Sequence, residues 1–197
     1  MHALIVLSHP GSTSLSHEIA NRLGRGVKAS DGGHTFEIAD LMAEGFDPRF
    51  SAEDFAAHRH KAKPPQDVVA EQERIGRSDA LVLVFPVYWW AMPGLLKGWI
   101  DRVFANGWAY DDSGEKVIKK LGHLPIHIIG IGGADMGTYQ RHGYFTAMKS
   151  QIDHGIFDYC GAPVVTSERL LESDDPDQAG NLEAAEAIGR RLFSTVT

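Results

Sequence analysis

A segment rich in hydroxyl side chains follows the first apolar run of the chain. Residues 8–16 read Ser-His-Pro-Gly-Ser-Thr-Ser-Leu-Ser, so five hydroxyls and one imidazole precede a stretch whose apolar residues have helical spacing. The start of a helix offers free N–H groups and the positive end of its dipole, and hydroxyls add donors without bulk. The segment could therefore bind an anion such as a phosphate. Serine and threonine also cap helices, so this segment alone leaves both interpretations open.

Three successive aromatic side chains, Tyr88, Trp89 and Trp90, form a second unusual segment. They stand between Pro86 and Pro93, directly after the clearest apolar run of the chain. Exposing three large aromatic rings in a loop is unfavourable. A flat apolar ligand would cover them, and the loop backbone could direct N–H groups at its polar edge. A hydrophobic loop beneath a helix or at a dimer interface is the alternative, and we favour the ligand.

A glycine-rich segment over residues 130–144 is the third candidate. Its glycines, which include Gly132 and Gly133, allow the backbone to approach a ligand closely. Tyr139 and His142 supply donors near them. One glycine-rich loop is weak evidence by itself. Without further evidence, His142 would be interpreted as a solvent-facing loop residue.

Alternating strand and helix patterns organise the whole chain. Continuous apolar or alternating runs predict strands, and apolar residues at helical spacing predict helices. Residues 45–65 have no strong period and are predicted to form a long loop with one helical turn around Ala52–His58. The predicted strands are 3–7, 34–39, 80–85, 125–131 and 163–170, and the predicted helices are 15–27, 66–77, 93–104, 144–159 and 179–194.

This order predicts one α/β domain over residues 1–197, with a doubly wound, five-stranded parallel sheet and helices on both faces. The expected fold is flavodoxin-like, with strand order 2-1-3-4-5. In such sheets the ligand lies in the crevice outside the carboxyl ends of the strands. The three candidate segments follow three of these strands, and each suits one part of a flavin. Their combination is therefore stronger evidence than any one of them.

Composition and missing motifs exclude several classes of protein. The net charge of −7 argues against a non-specific nucleic-acid binder. The single cysteine excludes an internal disulfide, and no apolar run is long enough to span a membrane, so we expect a cytoplasmic protein. Neither a G-x-G-x-x-G nor a P-loop motif occurs. His58 and His60 lack further ligands nearby in the sequence, so no metal site is predicted.

The sequence resembles the NAD(P)H:quinone oxidoreductase family of flavoproteins, the DT-diaphorase type and its bacterial relatives. The most specific run is Pro-Gly-Leu-Leu-Lys-Gly-Trp-Ile-Asp-Arg-Val-Phe at residues 93–104. Further matches follow the family order along most of the chain. They are 3–9 with Thr13 and Ser14, 67–72, 85–90, Gly132, Gly133, Tyr139, His142 and 159–161.

The resemblance implies a set of site residues. Residues implied to hold the flavin phosphates or ribityl chain are His9, Thr13, Ser14 and Ser16. Residues implied to line the isoalloxazine ring are Pro86, Val87, Tyr88, Trp89 and Trp90, with Gly132 and Gly133 at its polar edge. The implied catalytic residues are Tyr139 and His142, which would stabilise negative charge on the reduced ring. The implied substrate pocket consists of Trp89, Tyr139, His142 and Tyr110, the last placed by the second subunit of a homodimer.

The resemblance also implies the reaction. Two electrons would pass as a hydride from NAD(P)H to the flavin, and then to a quinone or similar soluble acceptor in the same place, in ping-pong order. The long 45–65 loop favours FAD, with FMN as the alternative. Two departures concern the phosphate loop, where Leu15 and Ser16 replace a Phe-Asn pair, and Asp112, which replaces a second pocket tyrosine.

Two other functions remain open at this point. Residues 99–104 and 107–110 also resemble regulatory flavin-binding subunits of glutathione-gated potassium efflux systems. A flavodoxin-type electron carrier would share the fold. Carriers are usually smaller and more acidic, and they lack the aromatic segment over residues 88–90.

Overall fold

A computed structural model describes residues 1–194 and contains two sheets. The strands are β1 (His2–Leu7), β2 (Thr35–Asp40), β3 (Ala80–Pro86), β4 (Tyr110–Asp111), β5 (Ile118–Lys119), β6 (Ile126–Gly132) and β7 (Val164–Leu171). The main sheet is parallel and has the order β2-β1-β3-β6-β7. Its five strands are the five predicted ones in the predicted order, so the flavodoxin-like arrangement is confirmed.

Helices cover both faces of this sheet. They are α1 (Leu15–Ala29), α2 (Ala52–His58), α3 (Gln66–Gly76), α4 (Gly94–Val103), α5 (Met136–His142), α6 (Tyr144–Met148) and α7 (Ala179–Arg191), with a π-helical segment at Lys149–Asp158. Alternate residues of β1 show the two layers. Ile5 and Leu7 pack with α1 and α7, whereas Leu4 and Val6 belong to the core beneath α3 and α4. Because both faces are covered, β1 is continuously apolar rather than alternating.

Close contact between α1 and α7 depends on two glycines. A Cβ at Gly26 would lie 2.1 Å from the carbonyl oxygen of Glu186, and one at Gly189 would lie 2.1 Å from that of Leu23. Both distances are far too short for real side chains. The two helix backbones therefore meet directly on this face of the sheet.

An ionic cluster at Arg102 anchors the predicted long loop. The Nε of Arg102 donates to Asp54 in α2 at 3.1 Å, and its Nη1 donates to Asp67 at 2.6 Å and to the carbonyl of Asp47 at 2.8 Å. Burial acts to raise the pKa of Asp54, but hydrogen bonds from Ser51 and Arg102 outweigh it and lower that pKa. The loop 45–65 is therefore held against α4, and its predicted helical turn is the observed α2.

Three features depart from the prediction. Strands β4 and β5 form a hairpin of two residues per strand, which is too short to show a period-two pattern. Helix α5 follows the glycine-rich loop, where an Asp135 side chain caps it by accepting from the N–H of Thr138. The predicted helix 144–159 is α-helical from Tyr144 to Met148 and π-helical from Lys149 to Asp158, and the predicted helix 179–194 ends at Arg191. Residues 195–197 of the predicted domain lie outside the described residues.

Residues 1–194 contain neither a candidate membrane-spanning helix nor a candidate metal-binding cluster. No helix in that range combines the length and the apolar character that crossing a membrane requires. The same residues contain no cluster of three or more His, Cys, Asp or Glu side chains placed to hold a metal ion.

Candidate active site

The three candidate segments meet at one edge of the sheet. Strands β1, β3 and β6 are neighbours, and each candidate segment begins at the carboxyl end of one of them. The segments after β3 and β6 enclose a cavity of about 150 Å³. Its lining residues are Val87, Trp89, Trp90, Gly133, Ala134 and Tyr139. The crevice predicted for the fold therefore exists, and it is lined largely by residues predicted from the sequence.

The aromatic segment after β3 forms a two-residue hairpin turn. The N–H of Tyr88 donates to the carbonyl of Ala91 at 3.1 Å, and the N–H of Ala91 donates back at 3.0 Å. Trp89 and Trp90 occupy the two central positions with φ values of +50° and +59°. Such turns normally use Asn and Gly, because positive φ is unfavourable for other residues. Strain of this kind, about 1–3 kcal/mol per residue, is concentrated at functional sites.

The side chains of this turn differ in environment. Trp89 is 93% exposed, whereas Trp90 stacks on Tyr144 with ring centroids 3.8 Å apart and meets Tyr139 edge-on at 5.2 Å. His142 also stacks on Tyr144, with ring centroids 5.2 Å apart. His142 is thus exposed at the end of an aromatic stack and does not line the cavity within its own chain. The sequence did not predict Tyr144 as a site residue. The only indication was its position two residues after His142.

The position of the Tyr139 side chain depends on the absence of a side chain at Gly132. Tyr139 is 1% exposed overall, and its hydroxyl lies 2.5 Å from the position that a Cβ of Gly132 would occupy. Any larger residue at 132 would displace the phenol. Burial raises the pKa of Tyr139, and the positive charge of Arg169 acts in the opposite direction. The phenol therefore stays protonated near neutrality and can donate a hydrogen bond at the wall of the cavity.

The hydroxyl-rich loop serves as a helix cap and offers free donors as well. The side chain of Ser14 caps α1 by accepting from the N–H of His17, and Ser16 is buried in the first turn. The backbone N–H groups of Ser12, Thr13 and Ser16 donate to no acceptor within residues 1–194. Free N–H groups at a helix start are the donors that phosphate groups use. Both interpretations of this loop are therefore compatible with its structure.

Two histidines border this loop, and sequence reasoning found only one of them. His9 accepts from the N–H of Gly11 through Nδ1 at 3.0 Å. His17 lies edge-on to His9 at 5.9 Å, with its Nδ1 2.8 Å from the Ser14 hydroxyl and its Nε2 3.0 Å from Asp40. A proton on Nε2 would satisfy Asp40 and let the Ser14 hydroxyl donate to Nδ1. The link to Asp40, which ends β2, appears only in the folded chain.

Tyr110 lies apart from the cavity within its own chain. It belongs to β4, packs edge-on against Tyr159 at 5.2 Å, and its hydroxyl is 3.3 Å from Nε2 of His58. Burial raises the pKa of Tyr110 to about 12. Its expected position over the cavity of a second subunit stays a prediction.

The cavity offers an apolar wall beside unused hydrogen-bond donors. One wall is aromatic, and the backbone N–H groups of Trp89, Trp90 and Gly133 find no acceptor within residues 1–194. Behind this wall, two buried nitrogens of Arg169 also lack a partner in that range. An apolar face beside unused donors is the surface that an isoalloxazine ring would satisfy.

Comparisons with known proteins agree with this geometry. Residues 1–192 match a protein-family model described as a flavodoxin-like fold. The solved structure of an NAD(P)H:quinone oxidoreductase from Methanothermobacter marburgensis superposes with a TM-score of 0.89, at 30% identity over 98% of each chain. A Haemophilus influenzae protein named as an uncharacterized NAD(P)H oxidoreductase is 29% identical over 85% of this chain and 82% of its own. General stress protein 14 of Treponema denticola, solved with FMN, gives a TM-score of 0.67 at 25% identity, over 98% of this chain and 97% of its own.

Proposed function

The chain belongs to the protein family with the flavodoxin-like fold, whose family model matches residues 1–192, and we propose that it is a flavin-dependent NAD(P)H oxidoreductase. It would transfer two electrons from NAD(P)H to a quinone or a similar small acceptor. The observation that carries the proposal is the cavity between the Trp89–Trp90 turn and Gly133, at the carboxyl ends of neighbouring strands. The names of the Methanothermobacter and Haemophilus proteins support NAD(P)H oxidoreductase activity.

The proposed cofactor is FAD, with FMN as the alternative. The FMN bound to the Treponema protein supports a flavin, although it does not separate the two forms. The anchored loop over residues 45–65 adds surface beyond a minimal flavodoxin-like core, which favours the larger cofactor. Bound flavin would supply the hydride chemistry, and the protein would supply position and electrostatics.

Each part of the crevice has a proposed role. The start of α1, with His9, Thr13, Ser14 and Ser16, would hold the phosphates or the ribityl chain. The segment from Pro86 to Trp90 would contact the ring face, and Gly132 and Gly133 its polar edge. Tyr139 would donate a hydrogen bond where negative charge develops during reduction, as preorganised donors do in other sites. His142 would hold or move a proton at the outer end of the stack through Tyr144.

We also propose a cytoplasmic homodimer whose second subunit completes the site. Several large aromatic side chains are exposed, among them Trp89, Phe55 and Phe50. Large exposed aromatic surface supports an interaction between subunits. The partner would then place its Tyr110 over the cavity next to Trp89. The single buried cysteine needs no oxidising compartment.

A double substitution at the proposed catalytic residues tests this function. Tyr139→Phe with His142→Gln removes both side-chain donors and keeps the Trp90–Tyr144 stack. We expect the rate of reduction by NAD(P)H to fall by about a hundredfold to a thousandfold, the range found for the loss of a preorganised donor. Stopped-flow measurement on flavin-loaded protein gives this rate. The matched control is His123→Gln, at an exposed histidine outside the site, and an unchanged rate in the double variant would refute the assigned roles.

A further inference from the structure

Arg169, on β7, is a buried cation whose hydrogen bonds are incomplete. Its side chain is only 6% exposed, and Nη1 donates to the backbone carbonyl of Glu168 at 2.8 Å. Nε and Nη2 are buried and have no hydrogen-bond partner within residues 1–194. Arginine keeps its charge in proteins, and a buried charge without a partner is strongly unfavourable. Such a group calls for an explanation, and the resemblance assigns it no role.

The guanidinium lies directly behind the wall of the cavity. A Cβ at Gly130 of β6 would be 3.0 Å from Cδ of Arg169, 3.4 Å from its Nε and 3.2 Å from a methyl group of Val87. Gly130 and Gly132 lie on the same side of β6, about 7 Å apart along the strand. Arg169 therefore packs over Gly130, and the Tyr139 hydroxyl packs over Gly132. Val87 and Tyr139 both line the cavity, so the cation is one side chain removed from it.

No carboxylate within residues 1–194 forms a salt bridge with Arg169. The carboxylate of Asp153, whose negative charge acts on Arg169 without a hydrogen bond to it, already accepts from Nζ of Lys149 at 2.9 Å and from the Ser167 hydroxyl at 3.2 Å. The ring of Phe145 also lies close, with its centroid 5.7 Å from the guanidinium carbon. The positive charge of Arg169 is therefore compensated only in part by the protein itself.

We propose that Arg169 is a positioning residue whose fixed positive charge, acting across Val87 and Tyr139, stabilises the negatively charged reduced cofactor over the oxidised one. This inference rests on the proposed function. Hydride transfer breaks a C–H bond of NAD(P)H, forms an N–H bond on the flavin ring and releases NAD(P)⁺. The ring gains two electrons and one proton, and so one negative charge. A buried cation near the ring favours that state and raises the reduction potential.

Substitution of Arg169 combined with redox titration tests the inference. Arg169→Met removes the charge at similar length, and Arg169→Lys keeps it. The midpoint potential is measured against a reference dye, and the affinity for oxidised flavin is measured by fluorescence. We expect Arg169→Met to bind oxidised flavin within about threefold of wild type and reduced flavin about tenfold more weakly, which lowers the potential by about 30 mV. Arg169→Lys is expected to keep the ratio of the two affinities within about twofold of wild type.

Arg25→Met removes one exposed charge from α1 and should leave the potential unchanged. If Arg169→Met does not fold, Arg169→Gln is measured in its place. A neutral variant with the wild-type potential would overturn the inference, and so would a Lys variant as low in potential as the neutral one. If either of these results is obtained while wild-type protein is reduced by NAD(P)H, the inference about Arg169 fails and the proposed function stands. If wild-type protein binds neither FAD nor FMN, the proposed function fails as well.

Discussion

Gly132 shows how a missing side chain can determine the position of a functional group. The phenol of Tyr139 occupies the space that a Cβ at this position would need. The glycine is thus required by a neighbour rather than by its own backbone, since its φ is not positive. Gly130, two residues earlier on the same side of β6, makes room for Arg169 in the same way. These two glycines of β6 therefore determine where the polar groups of Arg169 and Tyr139 lie relative to the cavity.

Gly132→Ala is expected to impair reduction without unfolding the protein. The added methyl group would push the Tyr139 hydroxyl away from the cavity by about 1 Å, and misplacement on that scale can lower a rate about a hundredfold. Stopped-flow reduction and far-ultraviolet circular dichroism separate rate from fold. Gly76→Ala is the matched control, because a Cβ there meets nothing within 4 Å. A wild-type rate in Gly132→Ala would show that the phenol position is unimportant.

The residues of the site differed in how far the sequence could predict them. Trp90, Gly133 and Tyr139 line the cavity, and their position after strand ends was sufficient to find them. His17 and Asp40 are 23 residues apart in the chain, so their contact depends on the pairing of α1 with β2. Arg169 was not predicted, because it stands among the polar residues Thr166, Ser167 and Glu168 of β7 and nothing in that run marks it as buried.

At the scale of elements, the turn after β3 combines strain with function. Two tryptophans hold positive φ where glycine would be unstrained, and one of them is almost fully exposed. Exposure means that Trp89 gains little from packing within its own chain. Its conformation is instead imposed by the reciprocal hydrogen bonds of Tyr88 and Ala91. An exposed, strained aromatic residue is expected where a ligand or a partner supplies the missing contacts.

Trp89→Gly should therefore separate stability from binding. Glycine adopts positive φ freely, so we expect the flavin-free protein to gain about 1 kcal/mol of unfolding free energy. Loss of the aromatic ring should weaken flavin binding at the same time. Urea unfolding of the apoprotein and fluorescence titration with FAD or FMN measure the two effects. A less stable variant that binds flavin normally would contradict this interpretation of the turn.

Regular elements were predictable where burial imposed a pattern. β1 and β3 are buried on both faces, so a continuous apolar run predicted each of them within two residues. The hairpin of β4 and β5 is exposed or half-buried and only two residues per strand, so no periodicity revealed it. The change from α- to π-helix after Met148 alters backbone hydrogen bonds without changing residue types in a readable way.

At the scale of the whole molecule, His127 makes the folded state sensitive to acid. It lies in β6, is 2% exposed, and contacts the Thr166 hydroxyl through Nδ1 at 2.9 Å. Its buried Nε2 has no partner within residues 1–194. Burial lowers the pKa of His127 to about 4. The folded protein therefore resists protonation at this site, whereas the unfolded chain accepts a proton near pH 6.5.

The pH dependence of stability should show this difference. Between pH 6.5 and 4 the unfolded chain binds more protons than the folded one, so stability falls as the pH is lowered. A shift of this size corresponds to about 3 kcal/mol of unfolding free energy over that range. Urea unfolding at several pH values measures the slope for wild type and for His127→Gln, which cannot be protonated. Equal slopes in the two proteins would mean that His127 is not the source.

The arrangement of the molecule also explains why the site lies where it does. The order β2-β1-β3-β6-β7 of the main sheet makes β1, β3 and β6 neighbours, so loops far apart in sequence share one edge. The alternation of strands and helices predicted a doubly wound parallel sheet, and the match of its five strands to a flavodoxin-like fold predicted the order. The shape of the crevice could not be predicted, because it depends on turn conformation and on glycine contacts that appear only after folding.

An anaerobic titration with NADPH, and then with NADH, tests the central claim most directly. The protein is loaded with flavin, no acceptor is added, and the absorbance band of the flavin is followed. The proposed function predicts complete bleaching at one equivalent of the preferred nucleotide, without a one-electron species, because the first half of a ping-pong reaction needs no acceptor. Flavin that stays bound and oxidised in the presence of excess NADPH and NADH would contradict the account.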